Sequence, residues 1–141
     1  MKVIKIIKLS IVCLFILSIA ISANGQKNNS QTNVKKSPNA AEITFEKKVN
    51  DYGSIKKNGD GSTEFVFKNT GKKPLIIYDV KTECGCTTPT WPKEPINPGK
   101  TGIIKVAYDT KETGVFSKTI TVSSNAVNDK VELTIQGEVY E

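Results

Sequence analysis

From residue 40 to the end, the chain is a succession of short segments in which apolar and polar residues alternate, and this alternation limits the fold more than any other feature. A period of two is that of a β-strand, because successive side chains point to opposite faces of a sheet. No stretch longer than about ten residues carries the period of an amphipathic helix. The clearest segment is the last one, whose apolar positions are Val131, Leu133, Ile135 and Val139. The pattern predicts an all-β domain.

Turn residues divide this part of the chain into strands. We predict strands at 42–46, 63–69, 75–82, 102–109, 116–124 and 131–139, with a short edge strand near 52–55. About seven short strands in roughly a hundred residues suit a sandwich of two sheets better than a closed barrel. The residues expected in its core are Phe45, Phe65, Phe67, Ile77, Ile104, Val106, Ile120, Val122, Leu133 and Ile135.

The first 25 residues have the composition of a secretion signal. A cationic flank precedes an uncharged apolar run: Lys2, Lys5 and Lys8 come before residues 9–23. We expect cleavage that leaves a new terminus between Ala23 and Lys27, where small residues precede the cut. An uncleaved membrane anchor is the alternative, although the run is shorter than the roughly 20 residues that a spanning helix needs.

Residues 26–39 are Asn, Gln, Ser, Thr, Lys and one Pro, with a single sizeable apolar residue, Val34. Such a segment has nothing to bury, so we expect a disordered spacer there. The folded domain then covers residues 40–141, which is enough for one core.

The basic net charge belongs to the N-terminal segments and not to the domain. Six of the 20 cationic residues precede residue 40, which leaves 14 lysines against 14 acids in the domain. A neutral domain without arginine lacks the basic face and the bidentate contacts of nucleic-acid recognition. We therefore expect no nucleic-acid partner, and no membrane contact once the signal is cleaved.

Catalytic residue types are scarce. The chain has no histidine, which excludes Ser-His and Cys-His nucleophile pairs, histidine metal sites and histidine proton shuttles. Its acids are scattered among lysines, as on a solvated surface. We expect no catalytic residues, no cofactor and no enzymatic activity.

Residues 83–99 are the segment that needs an explanation. Pro89, Pro92, Pro95 and Pro98 recur every third residue, which is the repeat of a polyproline II helix. We interpret the segment as a stiff crossover between the two sheets, in which proline blocks edge pairing; recognition by a proline-binding module is the alternative. Trp91 is expected to be its partly buried anchor, with an exposed ligand-stacking role as the alternative.

Cys84 and Cys86 are the thiols that remain after the signal, with Cys13, is removed. In an extended strand their Cα atoms would lie nearly 7 Å apart, at the limit of disulfide geometry, but Gly85 can adopt positive φ and fold the sulfurs together. Three interpretations stay open. The pair forms a local disulfide, packs as inert thiols, or forms a metal or redox site, for which this chain supplies two sulfurs.

Several spaced motifs in the domain resemble the domain of unknown function 1573 family of exported bacterial proteins. They are Phe65-x-Phe67-x-Asn69-Thr70-Gly71-x-x-Pro74-Leu75, Cys84-Gly85-Cys86-Thr87, Pro98-Gly99, Tyr108-Asp109-Thr110, Gly114-x-Phe116-x-Lys118 and Ser124-Asn125. That family is similar to the immunoglobulin-like domains of the major sperm protein and ASH/HYDIN group. The resemblance implies an antiparallel immunoglobulin-like β-sandwich, an extracytoplasmic location and no known activity.

These observations lead to two hypotheses of function. The first is a non-enzymatic structural or protein-binding module in the periplasm or at the cell surface of a Gram-negative bacterium, with an envelope protein of unknown identity as its partner. The alternative is a thiol-dependent metal-binding or redox protein that uses Cys84 and Cys86. The sequence does not specify the binding residues or the oligomeric state.

Overall fold

The computed structural model describes residues 39–141. The predicted signal, 1–25, and the predicted spacer, 26–39 apart from Asn39, lie outside the described residues. The described part of the chain contains eight strands: β1 (Ile43–Phe45), β2 (Val49–Lys56), β3 (Ser62–Asn69), β4 (Ile77–Thr82), β5 (Thr87–Thr90), β6 (Thr101–Tyr108), β7 (Gly114–Ser124) and β8 (Lys130–Tyr140). Within this part of the chain, no helix is long and apolar enough to cross a membrane.

The strands form two four-stranded sheets. The first sheet has the order β1-β3-β6-β5 and the second has the order β2-β8-β7-β4. All pairs are antiparallel except β2 and β8, which run parallel. This parallel pair corrects the expectation of a wholly antiparallel sandwich. A link of three residues takes the chain from β1 in the first sheet to β2 in the second. Because β2 does not form a hairpin with β1, no hairpin requires it to pair in the antiparallel direction.

The predicted strands are present, with ends that shift by one to a few residues. The short edge strand expected near 52–55 is the eight-residue β2. The structure has one strand more than the sequence predicts, because β5 forms inside the proline segment. Pro89 pairs with Val106 of β6 in that strand, so proline does not keep this segment out of the sheet, while the outer edge of β5 has no strand beside it among residues 39–141. A proline is tolerated because β5 lies at a sheet edge. The crossover between sheets is confirmed, since β4 and β5 belong to different sheets.

The core lies between the inner faces of the two sheets. All ten side chains predicted to form it are buried. Apolar residues outside the prediction complete it: Ala41, Ile43, Leu75, Val80, Ile96, Phe116, Ala126, Val131 and Val139. Leu75 and Ile96 also form an isolated bridge that ties the entrance of β4 to the end of the proline segment. The crossover is thus attached to the core at its far end.

Two asparagines from the family-like motifs serve the fold. Asn69 is fully buried, and its Nδ2 donates to the carbonyl oxygens of Lys73 and Ile96, each at 2.8 Å. Asn125 accepts a hydrogen bond from the amide of Ile76 at 2.8 Å and donates to the carbonyl of Pro74 at 3.0 Å. These side chains form hydrogen bonds with backbone N–H and C=O groups where the pairing of the strands is irregular. Buried backbone groups need such partners. The motifs that contain them therefore report on folding and not on a binding site.

Candidate functional site

The two cysteines lie in the tight turn between β4 and β5. Their sulfurs are joined in a disulfide, and their Cα atoms are 5.3 Å apart, well inside the usual range for such a bond. The turn closes this distance without positive φ at Gly85, which corrects the expected role of that residue; the described glycines with positive φ are Gly53, Gly99 and Gly114. Oxidation of the pair in the exported protein stays a prediction.

Hydrogen bonds that do not involve sulfur hold the backbone of this turn. The Thr82 hydroxyl donates to the carbonyl of Cys84 at 3.0 Å and lies 3.3 Å from the carbonyl of Thr87. The carbonyl of Cys86 accepts the amide of Asp109 at 2.8 Å, which anchors the turn to the strand beside β5. Each cysteine therefore has its main chain fixed independently of the disulfide.

Both cysteines are partly exposed, and the space beside them is open. Gly85 is exposed, and among the described residues other than its neighbours Cys84 and Cys86 no heavy atom lies within 4 Å of where its Cβ would be. The sulfur of Cys86 lies 3.8 Å from the hydroxyl oxygen of Thr87, whose residue is buried. A disulfide sulfur carries no hydrogen, so the hydroxyl is the donor in this contact.

Trp91 packs partly buried against the core, as the anchor interpretation predicts. The Nζ of Lys93 lies 3.2 Å from the centre of the indole ring, a cation–π arrangement. The indole nitrogen is buried and has no hydrogen-bond partner among the described residues. Because Lys93 covers one face of the ring and the core contacts the side chain, the stacking of a ligand on Trp91 has no support here.

A depression on the outer face of the second sheet is a feature that the sequence analysis missed. The depression has a volume of about 460 Å³ and extends from β2 across β8 to β7. The register of β2 shifts between Asp51 and Ser54, and Gly53 within this bulge has φ of 61°. Asp51 stabilises the bulge, because its carboxylate accepts the amide of Gly53 at 2.7 Å and the side-chain amide of Gln136 at 2.9 Å. Gly53 stands alone within the strand predicted near 52–55, and an isolated glycine in a strand indicates a bulge.

Exposed apolar side chains lie on the same face as this depression, and one of them, Val115, lines it. Val115 is 85% exposed and lies opposite Glu138, which in turn lies opposite Ser54 of β2. Val49 is 51% exposed and Tyr140 is 48% exposed, and the strand register places both on the same outer face. We call the surface formed by the depression and these three side chains the β2–β7 face. The depression itself is lined by carboxylate, amide and hydroxyl side chains as well as by Val115 and Phe116.

Asp51 does not have the pKa shift of a general acid. Hydrogen bonds from the Gln136 side chain and the Gly53 amide lower the pKa of Asp51 below its ordinary value. A general acid requires the opposite shift, because it must hold a proton near neutral pH. Among residues 39–141, no group of three or more His, Cys, Asp or Glu residues is arranged to hold a metal ion.

Aromatic side chains on the inner side support the β2–β7 face. The Phe116 ring stacks on Tyr108 from the first sheet, with centroids 3.9 Å apart, and lies 5.9 Å from the ring of Tyr52 in β2. The hydroxyl of Tyr52 donates to the carbonyl of Gly61 at 2.7 Å. Burial, and to a lesser extent the charge of Asp60, raises the pKa of Tyr52 to about 12. These contacts join the two sheets directly beneath the bulge.

Comparison with known proteins agrees with the resemblance seen in the sequence. A family profile with the description "Protein of unknown function (DUF1573)" matches residues 43–139. No curated protein matches the sequence.

Solved structures share the fold at low sequence identity. A protein of unknown function from Porphyromonas gingivalis W83 is 16% identical with a TM-score of 0.63, over 72% of this chain and 48% of that chain. The ASH/PapD-like domain 7 of human CEP192 is 7% identical with a TM-score of 0.62, over 75% of this chain and 89% of that one. The secreted serine protease VesC from Vibrio cholerae is 11% identical with a TM-score of 0.53, over 70% of this chain and 23% of that chain. The chain spans less than half of the Porphyromonas protein. The match to the ASH/PapD-like domain confirms the predicted immunoglobulin-like fold.

Proposed function

The chain belongs to the DUF1573 family, and we propose that it is an exported, non-enzymatic module that binds another protein of the cell envelope through its β2–β7 face. The observation that carries the proposal is the 85% exposure of Val115 in the wall of one depression, with Val49 and Tyr140 exposed on the same face of the sheet. Apolar and aromatic side chains grouped on one face, with polar groups among them, are typical of surfaces that bind proteins.

The sheet edges are less suited to binding a partner than this face. The edge strands of the first sheet are short, since β1 has three residues and β5 has four, one of which is Pro89. Both edge strands of the second sheet carry register irregularities. Short strands, prolines and bulges are the devices that prevent the addition of a further strand. We therefore place the partner on the face and not in an extension of a sheet.

The chemistry of the chain supports a role without catalysis. It lacks histidine, and a carboxylate that lines the depression, Asp51, accepts hydrogen bonds from two donors, which favour its ionised form. The lysine-flanked apolar run of residues 1–25 supports export to the periplasm or cell surface of a Gram-negative bacterium.

The second candidate, a thiol-dependent metal or redox protein, divides into two parts. The metal part has no support in residues 39–141, where no set of three potential ligands converges and the two cysteines are joined to each other. The redox part is favoured by the exposed disulfide. A double variant, Cys84→Ser with Cys86→Ser, separates the candidates, because a binding module keeps its partner and loses only stability, whereas a redox protein loses its exchange chemistry.

Partner recovery from envelope extract tests the proposal with a matched pair of variants. Val115→Glu places a charge on the β2–β7 face, and Ile103→Glu places one on the outer side of the first sheet, where Ile103 is 38% exposed. Both sites are on the surface, so both variants should retain their stability within about 0.5 kcal/mol. We expect Val115→Glu to lower the recovery of a specific partner at least about tenfold, since a buried unpaired charge is costly, while Ile103→Glu leaves it unchanged. Equal recovery with both variants contradicts the proposal.

A further inference from the structure

We propose that the Cys84–Cys86 disulfide undergoes thiol–disulfide exchange with a cysteine pair of another envelope protein, and that the incoming thiolate attacks Cys84. This proposal does not rest on the β2–β7 face, and it would stand if that face bound nothing. It rests on access to the disulfide, on the anchored backbone of its turn, and on the difference between the environments of its two sulfurs.

Access to the disulfide is open on the side of Gly85. Both cysteines are partly exposed, and apart from the two cysteines themselves no heavy atom of the described residues lies within 4 Å of the position that a Cβ on Gly85 would take. Exchange requires that a thiolate approach a sulfur along the line of the S–S bond, so steric access limits its rate. Structural disulfides are commonly packed inside a protein, whereas this one lies in an exposed turn. The site therefore meets the first requirement of an exchangeable disulfide.

The backbone of the turn keeps its anchors when the S–S bond opens. The carbonyl of Cys84 is bound by the Thr82 hydroxyl, and the carbonyl of Cys86 by the amide of Asp109. Neither bond uses a sulfur atom. The bridge also closes only one intervening residue, so it constrains the unfolded chain less than a bridge across a long loop does. The reduced domain should therefore stay folded, with its two thiols still placed to close again.

The two sulfurs differ as leaving groups. The Thr87 hydroxyl lies 3.8 Å from the sulfur of Cys86, and no equivalent contact to the sulfur of Cys84 is present in residues 39–141. A hydroxyl that donates to sulfur stabilises a thiolate more than a disulfide, because hydrogen bonds to charged groups are the stronger ones. A leaving thiol with a lower pKa departs faster. Cys86 is thus the leaving group, and Cys84 is the sulfur that is attacked.

The exchange balances as two successive displacements. The partner's thiolate forms a bond to the sulfur of Cys84, the bond between Cys84 and Cys86 breaks, and its electron pair leaves on the sulfur of Cys86. The partner's second thiolate then attacks the partner sulfur in the mixed disulfide, and Cys84 leaves as a thiolate. The partner's two thiols are thereby oxidised to a disulfide, while Cys84 and Cys86 are reduced and take up the two protons that the partner gave up.

Reduced glutathione is the probe that tests this chemistry, with the oxidised full chain purified from the envelope. Samples are quenched with N-ethylmaleimide, and mass spectrometry locates the glutathione and the maleimide on the two cysteines. We expect glutathione on Cys84 and maleimide on Cys86 to exceed the reverse product by on the order of tenfold. The reduced chain should still unfold cooperatively. Predominant attack on Cys86, the absence of any reaction, or loss of cooperative unfolding on reduction would each overturn the proposal.

Variants at Thr87 test the role of its hydroxyl. Thr87→Val keeps the shape of the side chain and removes the donor, and it should slow exchange roughly fivefold to tenfold and abolish the preference for Cys84. Thr87→Ser keeps the donor and should retain the preference, even if it loses some stability. Thr88→Val, at the exposed neighbouring position, is the matched control and should behave as the unmodified chain. A Thr87→Val variant that exchanges at the unmodified rate with the same preference would refute this assignment.

Discussion

Replacing Asn69 with alanine should destabilise the domain far more than the same change at Asn125. The side chain of Asn69 is fully buried, donates to the carbonyls of Lys73 and Ile96, and accepts the amide of Gly71 at 3.0 Å. It therefore ties three segments together: the end of β3, the turn that follows it, and the end of the proline crossover.

The magnitude follows from the groups that Asn69→Ala would leave unpaired. The carbonyl of Ile96 keeps a second partner, the amide of Leu75 at 2.9 Å. The carbonyl of Lys73 and the amide of Gly71 lose the bonds that Asn69 supplies. Both groups are part-buried, so water compensates for part of the usual cost of about 1–3 kcal/mol each; with the small cavity left by the buried side chain, we expect a loss of about 2–4 kcal/mol. That is a large part of the total stability of a small domain.

Asn125→Ala is the matched control because Asn125 makes comparable bonds at an exposed position. Water can replace its side chain there, so the expected loss is only about 1 kcal/mol. Guanidinium unfolding followed by the fluorescence of Trp91, the only tryptophan, gives both values by linear extrapolation. A loss for Asn69→Ala that does not exceed the loss for Asn125→Ala would refute the assignment of Asn69 as a buried tie.

Three further predictions concern glycines, pH and the spacer. Gly85→Ala should change the unfolding free energy by less than about 0.5 kcal/mol, whereas Gly102→Ala should lower it by about 2 kcal/mol or more, because the new Cβ would collide with an aromatic ring. Chemical denaturation measures both changes, and equal changes would contradict the prediction. Burial raises the pKa of Tyr52, so the stability that its neutral form contributes is present below pH 10 and is lost as the pH rises toward 12. Tyr52→Phe should remove this part of the fall in unfolding free energy at alkaline pH, and an unchanged fall would count against the prediction. Deleting residues 26–39 should change the unfolding free energy by less than about 0.5 kcal/mol, whereas Ile135→Ala should lower it by about 2–5 kcal/mol. Thermal unfolding compares the two variants, and similar losses would mean that the predicted domain boundary is wrong.

The layered fold was predictable because its strands are half-buried. Each inner face carries an apolar residue at every second position, as in β3 with Phe65 and Phe67, so the period of two was visible in the sequence. β5 was not predictable in this way. It has four residues, one of them Pro89, and it pairs only because it lies at an edge. The parallel direction of β2 depends on which strand it meets in space, which local patterns do not encode.

The two candidate sites differ in how far the sequence revealed them. The spacing of Cys84 and Cys86 pointed to the disulfide turn, but one of the anchors of that turn, Asp109, is distant in the chain. The β2–β7 face went unnoticed because single exposed apolar residues such as Val115 are ordinary in a sequence. They become a surface only when the register of three strands brings them to the face that carries the depression.

Photo-crosslinking in living cells tests the central claim, that the β2–β7 face binds a protein partner, most directly. A photoreactive side chain is placed at Val115 in one variant and at Ile103 in the other, which lies on the outer side of the first sheet. The account predicts a discrete crosslinked protein from Val115, a much lower yield from Ile103, and a reduced yield from Val115 when Val49→Glu is added to the same face. Crosslinks of equal yield from the two positions, or none from Val115 while the chain is present in the envelope, would contradict it.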